Sequence, residues 1–285
     1  MEVGDTPGAP PGQETTQFDL LLNTATAELL AHHEIGTRVT GTVGVSGLLQ
    51  DNDSRGPLPI VPDARVRSGA LFVFEQAAFG AVCLSAGARA DLHRLEVDPN
   101  AGLGNGADTR TFSVASASGG IAYMPVAGLT VRANVGRAWR VPTLFELYAN
   151  GPRIGEAIYE IGRADLTPES ALELDAGAEY AGSTFRVAVS AYRNRIDDFT
   201  YLAPTGEFRD SLPVYAHRQA AAVLWGGEVM VNVRPVEPLM LRARRLRDRD
   251  PRPGDRTRSG ICRAEEEIYP ASDARPRGSG MVPEF

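Results

Sequence analysis

Few residues in this sequence have the types and spacing to do chemistry. His32, His33 and Glu34 form the densest set of potential metal ligands. On an extended chain His32 and Glu34 share one face, so three neighbours offer one cation at most two donors from one side. A closed site needs more donors, for which His93 or His217 would have to converge. The competing reading, polar histidines at a strand end, is the stronger one, and no metal or other cofactor is assigned. Gly102-Leu-Gly104-Asn-Gly106 has the glycines of a phosphate loop without a following helix N-terminus to hold an anion, and reads as a hairpin loop. Gly44-Val-Ser46-Gly47 lacks the spacing and the strand-to-helix turn of a nucleophile elbow, which leaves Ser46 as a polar-face residue. Cys83 and Cys262 make neither a disulfide framework nor a metal-ligand spacing. No catalytic residue is assigned, and the sequence does not read as an enzyme.

The elements that would carry these residues are strands. From Phe18 to about Leu241 apolar residues recur at every second position, interrupted every 10 to 20 residues by Gly, Pro, Asn or Asp. In Val82–Leu92 the set Val82, Leu84, Ala86, Ala88, Ala90, Leu92 opposes Cys83, Ser85, Gly87, Arg89, Asp91. Thr37–Leu48, Val66–Gln76, Leu129–Val135, Leu172–Glu179 and Phe185–Tyr192 alternate in the same way. Such segments run to lengths near the roughly 9–11 residues that cross a bilayer when tilted. Connections alternate between short ones (Met124–Gly128, Ala181–Ser183, Arg234–Pro238) and long ones (Asp51–Ala64, Asp98–Thr109, Pro142–Glu169). Short turns at one end and long loops at the other are the pattern of an up-and-down outer-membrane barrel. The expected fold is all-β, an antiparallel transmembrane β-barrel segment of about 10 to 12 strands.

Composition marks a boundary. All 29 basic residues are arginine, and the net charge is −7. Residues 1–241 carry net −10 and residues 242–285 carry net +3, with alternation fading near Arg242. Three parts are therefore expected: 1–17 a disordered segment, 18–241 the barrel portion, and 242–285 an irregular Arg/Pro/Gly-rich tail. For the tail, a solvated segment is preferred to a nucleic-acid patch, because acids are interleaved and no aromatic residue stands among the arginines. A shifted reading frame in GC-rich DNA would give the same composition. No run of about 18 apolar residues marks a membrane helix, and the start has no basic and apolar stretch of a signal peptide.

The most specific text is Gly136-Arg137-Ala-Trp-Arg140-Val-Pro142-Thr143-Leu-Phe-Glu146-Leu147-Tyr148, followed by Asp165-Leu-Thr-Pro168-Glu169-Ser170. Ser190-Ala-Tyr-Arg-Asn-Arg-Ile-Asp-Asp198 and Gly226-Gly-Glu228 add to it. These stretches resemble the barrel of TonB-dependent outer-membrane receptors, and the resemblance covers about Phe18 to Leu241. It implies a barrel portion lacking the plug, the TonB box and the terminal strands.

The same resemblance implies uptake of a scarce nutrient such as an iron-siderophore or other metal complex, a place in the outer membrane among its lipids, and energy from the inner-membrane TonB complex. It also implies a small metal-chelate ligand met by extracellular loops, with Tyr148, Asn150, Arg153 and Tyr159 as the carried-over contacts. For each of these four the alternative is that it folds the loop. Such a portion is not expected to transport alone. Two rival functions stay open: a complete small outer-membrane channel or translocator, and a soluble β-rich binding module.

Overall fold

The computed structural model describes residues 18–236, 239–249 and 264–270. The segment 1–17, and the tail at 250–263 and 271–285, lie outside the described residues. The chain runs through β1 (Asp19–Ile35), β2 (Val39–Arg55), β3 (Ala64–Phe79), β4 (Val82–Val97), β5 (Asp108–Val126) and β6 (Leu129–Arg140). An insertion then carries helix α1 (Leu144–Tyr148) and the short strands β7 (Asn150–Arg153) and β8 (Ile158–Ile161). It rejoins the wall at β9 (Glu169–Ala181), followed by β10 (Phe185–Arg209), β11 (Leu212–Val236), β12 (Leu239–Arg249) and β13 (Ala264–Pro270).

Eleven of these strands form one path in which β6 pairs β9 and every other link joins sequence neighbours, all antiparallel. The all-β architecture and the strand number expected from alternation are both present. The ladder also runs through position 242, where alternation fades: β12 pairs β11 as far as Arg249, and β13 pairs β12.

Register explains the alternation, because a two-residue period sends successive side chains to opposite faces. One cross-strand row is Leu29, Val45, Leu71, Ala90 and Ala115, and the adjacent row is Glu28, Ser46, Ala70, Asp91 and Val114. The first face is turned outward and left bare, with Leu29 71% and Leu71 58% exposed. The second lines a hollow together with Thr26, Ser68 and Arg89. There Arg89 donates to Asp91 at 2.9 Å and to Ser46 Oγ at 3.2 Å, and lies 5.4 Å over the Phe72 ring, tying β2, β3 and β4.

The connections sort by end, as their lengths suggest. Gly36, Gly80 and Gly128 take positive φ in the short turns. Gly128 is held in place twice, since a Cβ there would stand 2.6 Å from the Ala181 carbonyl oxygen. At the opposite end lie loops 56–63, 98–107 and 141–168, with the tight Asp210–Ser211 turn that closes the 25-residue strands β10 and β11. The buried core is also at that end. Ala64, Leu95, Val97 and Phe112, on the inward ends of β3, β4 and β5, pack against Leu147, Tyr148 and Leu166 of the insertion. A second cluster joins Ile60 and Val61 to Ala149.

Candidate functional site

The insertion 141–168 is the candidate site, and its path follows from local chemistry. Pro142 cannot donate to the ladder and favours an extended residue before it, so β6 ends at Arg140. Thr143 then caps α1: its Oγ1 accepts from Glu146 N–H at 3.3 Å, while the Glu146 carboxylate accepts from Thr143 N–H at 2.7 Å. The short helix is laced to the returning chain, with Gly162 N–H donating to the Ala149 carbonyl at 2.6 Å and Arg163 N–H to the Glu146 carbonyl at 2.8 Å. Gly162 is required for this approach, because a Cβ would fall 2.6 Å from both the Tyr148 and Ala149 backbone nitrogens. Leu166, with no exposed surface, pins the far end of the loop beneath the helix.

Arg140 is the electrostatic centre. Its guanidinium donates to both oxygens of Glu146 at 2.9 Å and, from the same inward position, to Glu169 Oε2 at 2.9 Å, with a further bond to Glu169 Oε1. Glu169 also accepts from Thr200 N–H at 2.7 Å. One fork thus fastens the start of the insertion, its helix and its return strand to β10. Burial works to raise the Glu146 carboxyl, but the bonds from Arg140 and from Thr143 N–H outweigh it and hold it below the usual carboxylate range. Among the exposed residues, the Arg163 bond at 2.6 Å likewise lowers Asp165.

Outside this fork the loop is fastened by neutral and mixed pairs. Tyr148 Oη donates to Asp108 at 2.5 Å; burial and then that carboxylate raise the phenol above its ordinary value. Asn150 donates to the Leu103 carbonyl at 2.8 Å and accepts from Tyr159 Oη at 3.1 Å, and its N–H donates to the Ile60 carbonyl at 2.9 Å. Three long loops therefore interlock at Asn150. Strand β8 lies parallel to β11, and between them buried Glu160 meets His217 at 2.7 Å and Arg153 at 3.2 Å. Arg209 of the long ribbon sits 5.3 Å over the Tyr159 ring.

Most of the motif read from the sequence meets in space. Arg140, Pro142, Thr143, Glu146, Leu147, Tyr148, Pro168 and Glu169 belong to this one layer. Gly136 faces inward on β6 without close packing, and Arg137 faces outward, where it lies 4.8 Å from the Trp139 ring. Tyr148, Asn150, Arg153 and Tyr159 each have a partner within the protein; Arg153 is exposed, Asn150 and Tyr159 are half-buried and Tyr148 is buried. His32 and Glu34 do share the inward face, but His32 bonds Thr42 at 2.8 Å, and His33 faces outward with Glu75 at 3.0 Å. His93 bonds Ser68 and His217 bonds Glu160, so neither joins them. Among the described residues no three His, Cys, Asp or Glu side chains converge on one point. Sequence reasoning missed Asp108, Glu160, Gly162 and Thr200, whose roles come from partners far along the chain.

Residues 4–250 match the family model described as TonB dependent receptor-like, beta-barrel. The chain belongs to that family. Similar solved structures include the copper transporter OprC (TM-score 0.69, 18% identity, 80% of this chain and 38% of that one). The hemophore receptor HasR of Serratia marcescens, in complex with its hemophore HasA and heme, is similar with TM-score 0.63 and 16% identity over 81% of this chain and 42% of its own. The FrpB iron transporter from Neisseria meningitidis is similar with TM-score 0.61 and 17% identity over 81% and 36%. At such identities the likeness is one of fold, and the chain spans well under half the length of these three.

Proposed function

We propose that this chain forms wall strands of a TonB-dependent outer-membrane receptor that takes up a scarce metal chelate, an iron-siderophore among the candidates. The observation that carries the reading is the division of the sheet into a bare apolar outward face and a charged inward face, with long loops gathered at one end. In water the outward rows would leave Leu29, Leu71, Leu92 and Val189 unprotected; against lipid tails the same rows are satisfied. The charged inward row suits a water-filled or plugged lumen.

On this reading the short turns face the periplasm and the 141–168 layer lies at the extracellular mouth. The Arg140 fork holds that layer across the inner ends of β3 to β5. Ligand contact then falls first to exposed Arg153, with half-buried Tyr159 and Asn150 beside it and buried Tyr148 holding the loop behind them. Uptake on this reading requires a closed barrel, a plug and energy passed from the inner-membrane TonB complex, and the eleven-strand path of the described residues supplies wall strands to it. The outward face distinguishes this function from that of a soluble binding module.

Fractionation of cells producing the full chain tests the reading. Recovery with the outer membrane, released only by detergent, is the expected result; a soluble, detergent-independent monomer refutes it. A binding panel of ferric siderophores, heme and copper chelates then reads the ligand class, with Arg153→Ala expected to weaken the one that binds.

A further inference from the structure

The segments gathered at the long-loop end are acidic. Loop 56–63 holds Asp63 and no arginine, and loop 98–107 holds Asp98 and no arginine. The insertion 141–168 sets Glu146, Glu156, Glu160 and Asp165 against Arg153 and Arg163, and the ribbon 199–218 holds two charges of each sign. With His217 neutral the four segments carry −1, −1, −2 and 0, a net of −4. A mouth of this sign attracts cations, tolerates neutral molecules and repels anions.

Neither arginine of the insertion has its charge to spare. Arg163 is paired with Asp165 at 2.6 Å. Arg153 lies between two carboxylates, its Nη2 3.3 Å from Glu156 and its Nη1 3.2 Å from Glu160. Glu160 is fixed there, because its side chain is only 2% exposed and its other oxygen is bonded to His217 at 2.7 Å. An arriving anion therefore meets a guanidinium whose charge is already more than cancelled. The N–H groups that Arg153 does not spend on the carboxylates stay free to donate to uncharged oxygen atoms. Apolar surface stands at the same end, with Leu58 42% and Phe208 72% exposed.

We propose that the metal chelate met by this mouth carries no net negative charge, a hydroxamate-type complex rather than a polyanionic catecholate- or carboxylate-type one, with Glu156 and Glu160 as the residues that set this preference. It rests on the uptake reading above and deepens it by naming the ligand class. Arg153 donates to the uncharged oxygens of the chelate, while the two carboxylates beside it repel a ligand of their own sign. The repulsion is Coulombic, so it weakens with salt, whereas hydrogen bonds to a neutral ligand do not.

The test holds the chelate constant and changes only its charge. The full chain in detergent micelles is titrated calorimetrically with one ferric trihydroxamate in three forms, its terminal amine free, acetylated or succinylated, which makes the complex positive, neutral or negative. A ferric tris-catecholate and heme complete the set of probes. At low salt the amine and acetyl forms are expected to bind about five-fold or more tighter than the succinyl form and the tris-catecholate. The gap should close at roughly 1 M salt, where the screening length is about 3 Å. Glu156→Gln, at a side chain 55% exposed, should narrow the gap about two-fold or more; Arg153→Ala should weaken every form while keeping their order. Equal binding of the acetyl and succinyl forms, tighter binding of the succinyl form, the tris-catecholate or heme, or a gap that neither salt nor Glu156→Gln reduces overturns the proposal and leaves the uptake reading standing. Binding of none of the probes overturns both.

Discussion

Replacing Arg140 by glutamine removes a guanidinium that serves two carboxylates at once. Glu146 and Glu169 keep only 15% and 10% of their side-chain surface exposed, whereas Arg140 keeps 43%. Breaking a fully buried pair costs about 3–5 kcal/mol, and the solvent access of Arg140 screens part of this, which leaves roughly 2 kcal/mol. That cost falls on the docking of 141–168, because the fork joins its two ends. The opening equilibrium of the layer should shift about 30-fold, a tenfold change being about 1.4 kcal/mol. Hydrogen exchange on the lipid- or detergent-embedded chain reads this directly, through the amides of Leu147, Ala149, Gly162 and Arg163, which bond within the layer. The β1–β2 hairpin, which the fork does not touch, should keep its protection. Arg140→Lys retains the charge without the two-pronged geometry and should fall between wild type and glutamine. Unchanged exchange in 141–168, or equal loss in β1–β2, would refute the assignment of Arg140 as the fastening of this layer; full rescue by lysine would show that charge alone suffices.

Gly162→Ala places a methyl group against backbone nitrogen atoms and should cost about 1–3 kcal/mol; limited proteolysis should then cut within 141–168 at lower protease concentration, and resistance equal to wild type would contradict the close approach. Because the Glu146 carboxyl is held below its ordinary value of 4.5, its contribution is complete above that pH and is lost as the pH falls through the depressed value. Acidification below pH 4.5 should therefore open the layer in wild type, as read by exchange, with a smaller pH effect in Arg140→Gln. In a spectrophotometric titration Tyr148→Phe should leave the tyrosinate rise near pH 10 unchanged, since Tyr148 is raised out of that range; a lost step near pH 10 would mean the Asp108 bond is not formed. Arginine in place of Leu71 on the outward face should cost about 2–4 kcal/mol of folding stability in lipid vesicles, against less than about 1 kcal/mol for Gln76→Arg on the inward face. Equal costs would remove the assignment of the two faces.

Periodicity and turn chemistry were sufficient to read the wall from the sequence. A strand exposes its two faces alternately, so Leu84, Ala86 and Ala88 separate from Ser85, Gly87 and Arg89 without any knowledge of their neighbours. The capping box at Thr143 and Glu146 is local as well, since both its bonds close within three residues, but it was not among the features read from the sequence. Near Arg242 the sequence loses its period because arginines stand at both alternating positions of Leu239–Arg249, whereas backbone pairing to β11 needs no apolar face and continues.

Local pattern is enough to tell which residues alternate, where the chain turns and that the stretch from Pro142 to Glu169 is too long for a simple hairpin. The partners within that stretch come from the folded sheet. Arg140 and Glu169 are 29 residues apart, Tyr148 and Asp108 40, and Glu160 and His217 57, and no local period connects them. Side-chain pairs of this kind depend on how far neighbouring strands are staggered, a property of the whole sheet. The stagger brings the β6–β9 insertion back over the inner ends of β3 to β5, where Arg140, Glu146, Tyr148 and Glu169 meet the partners that fasten it.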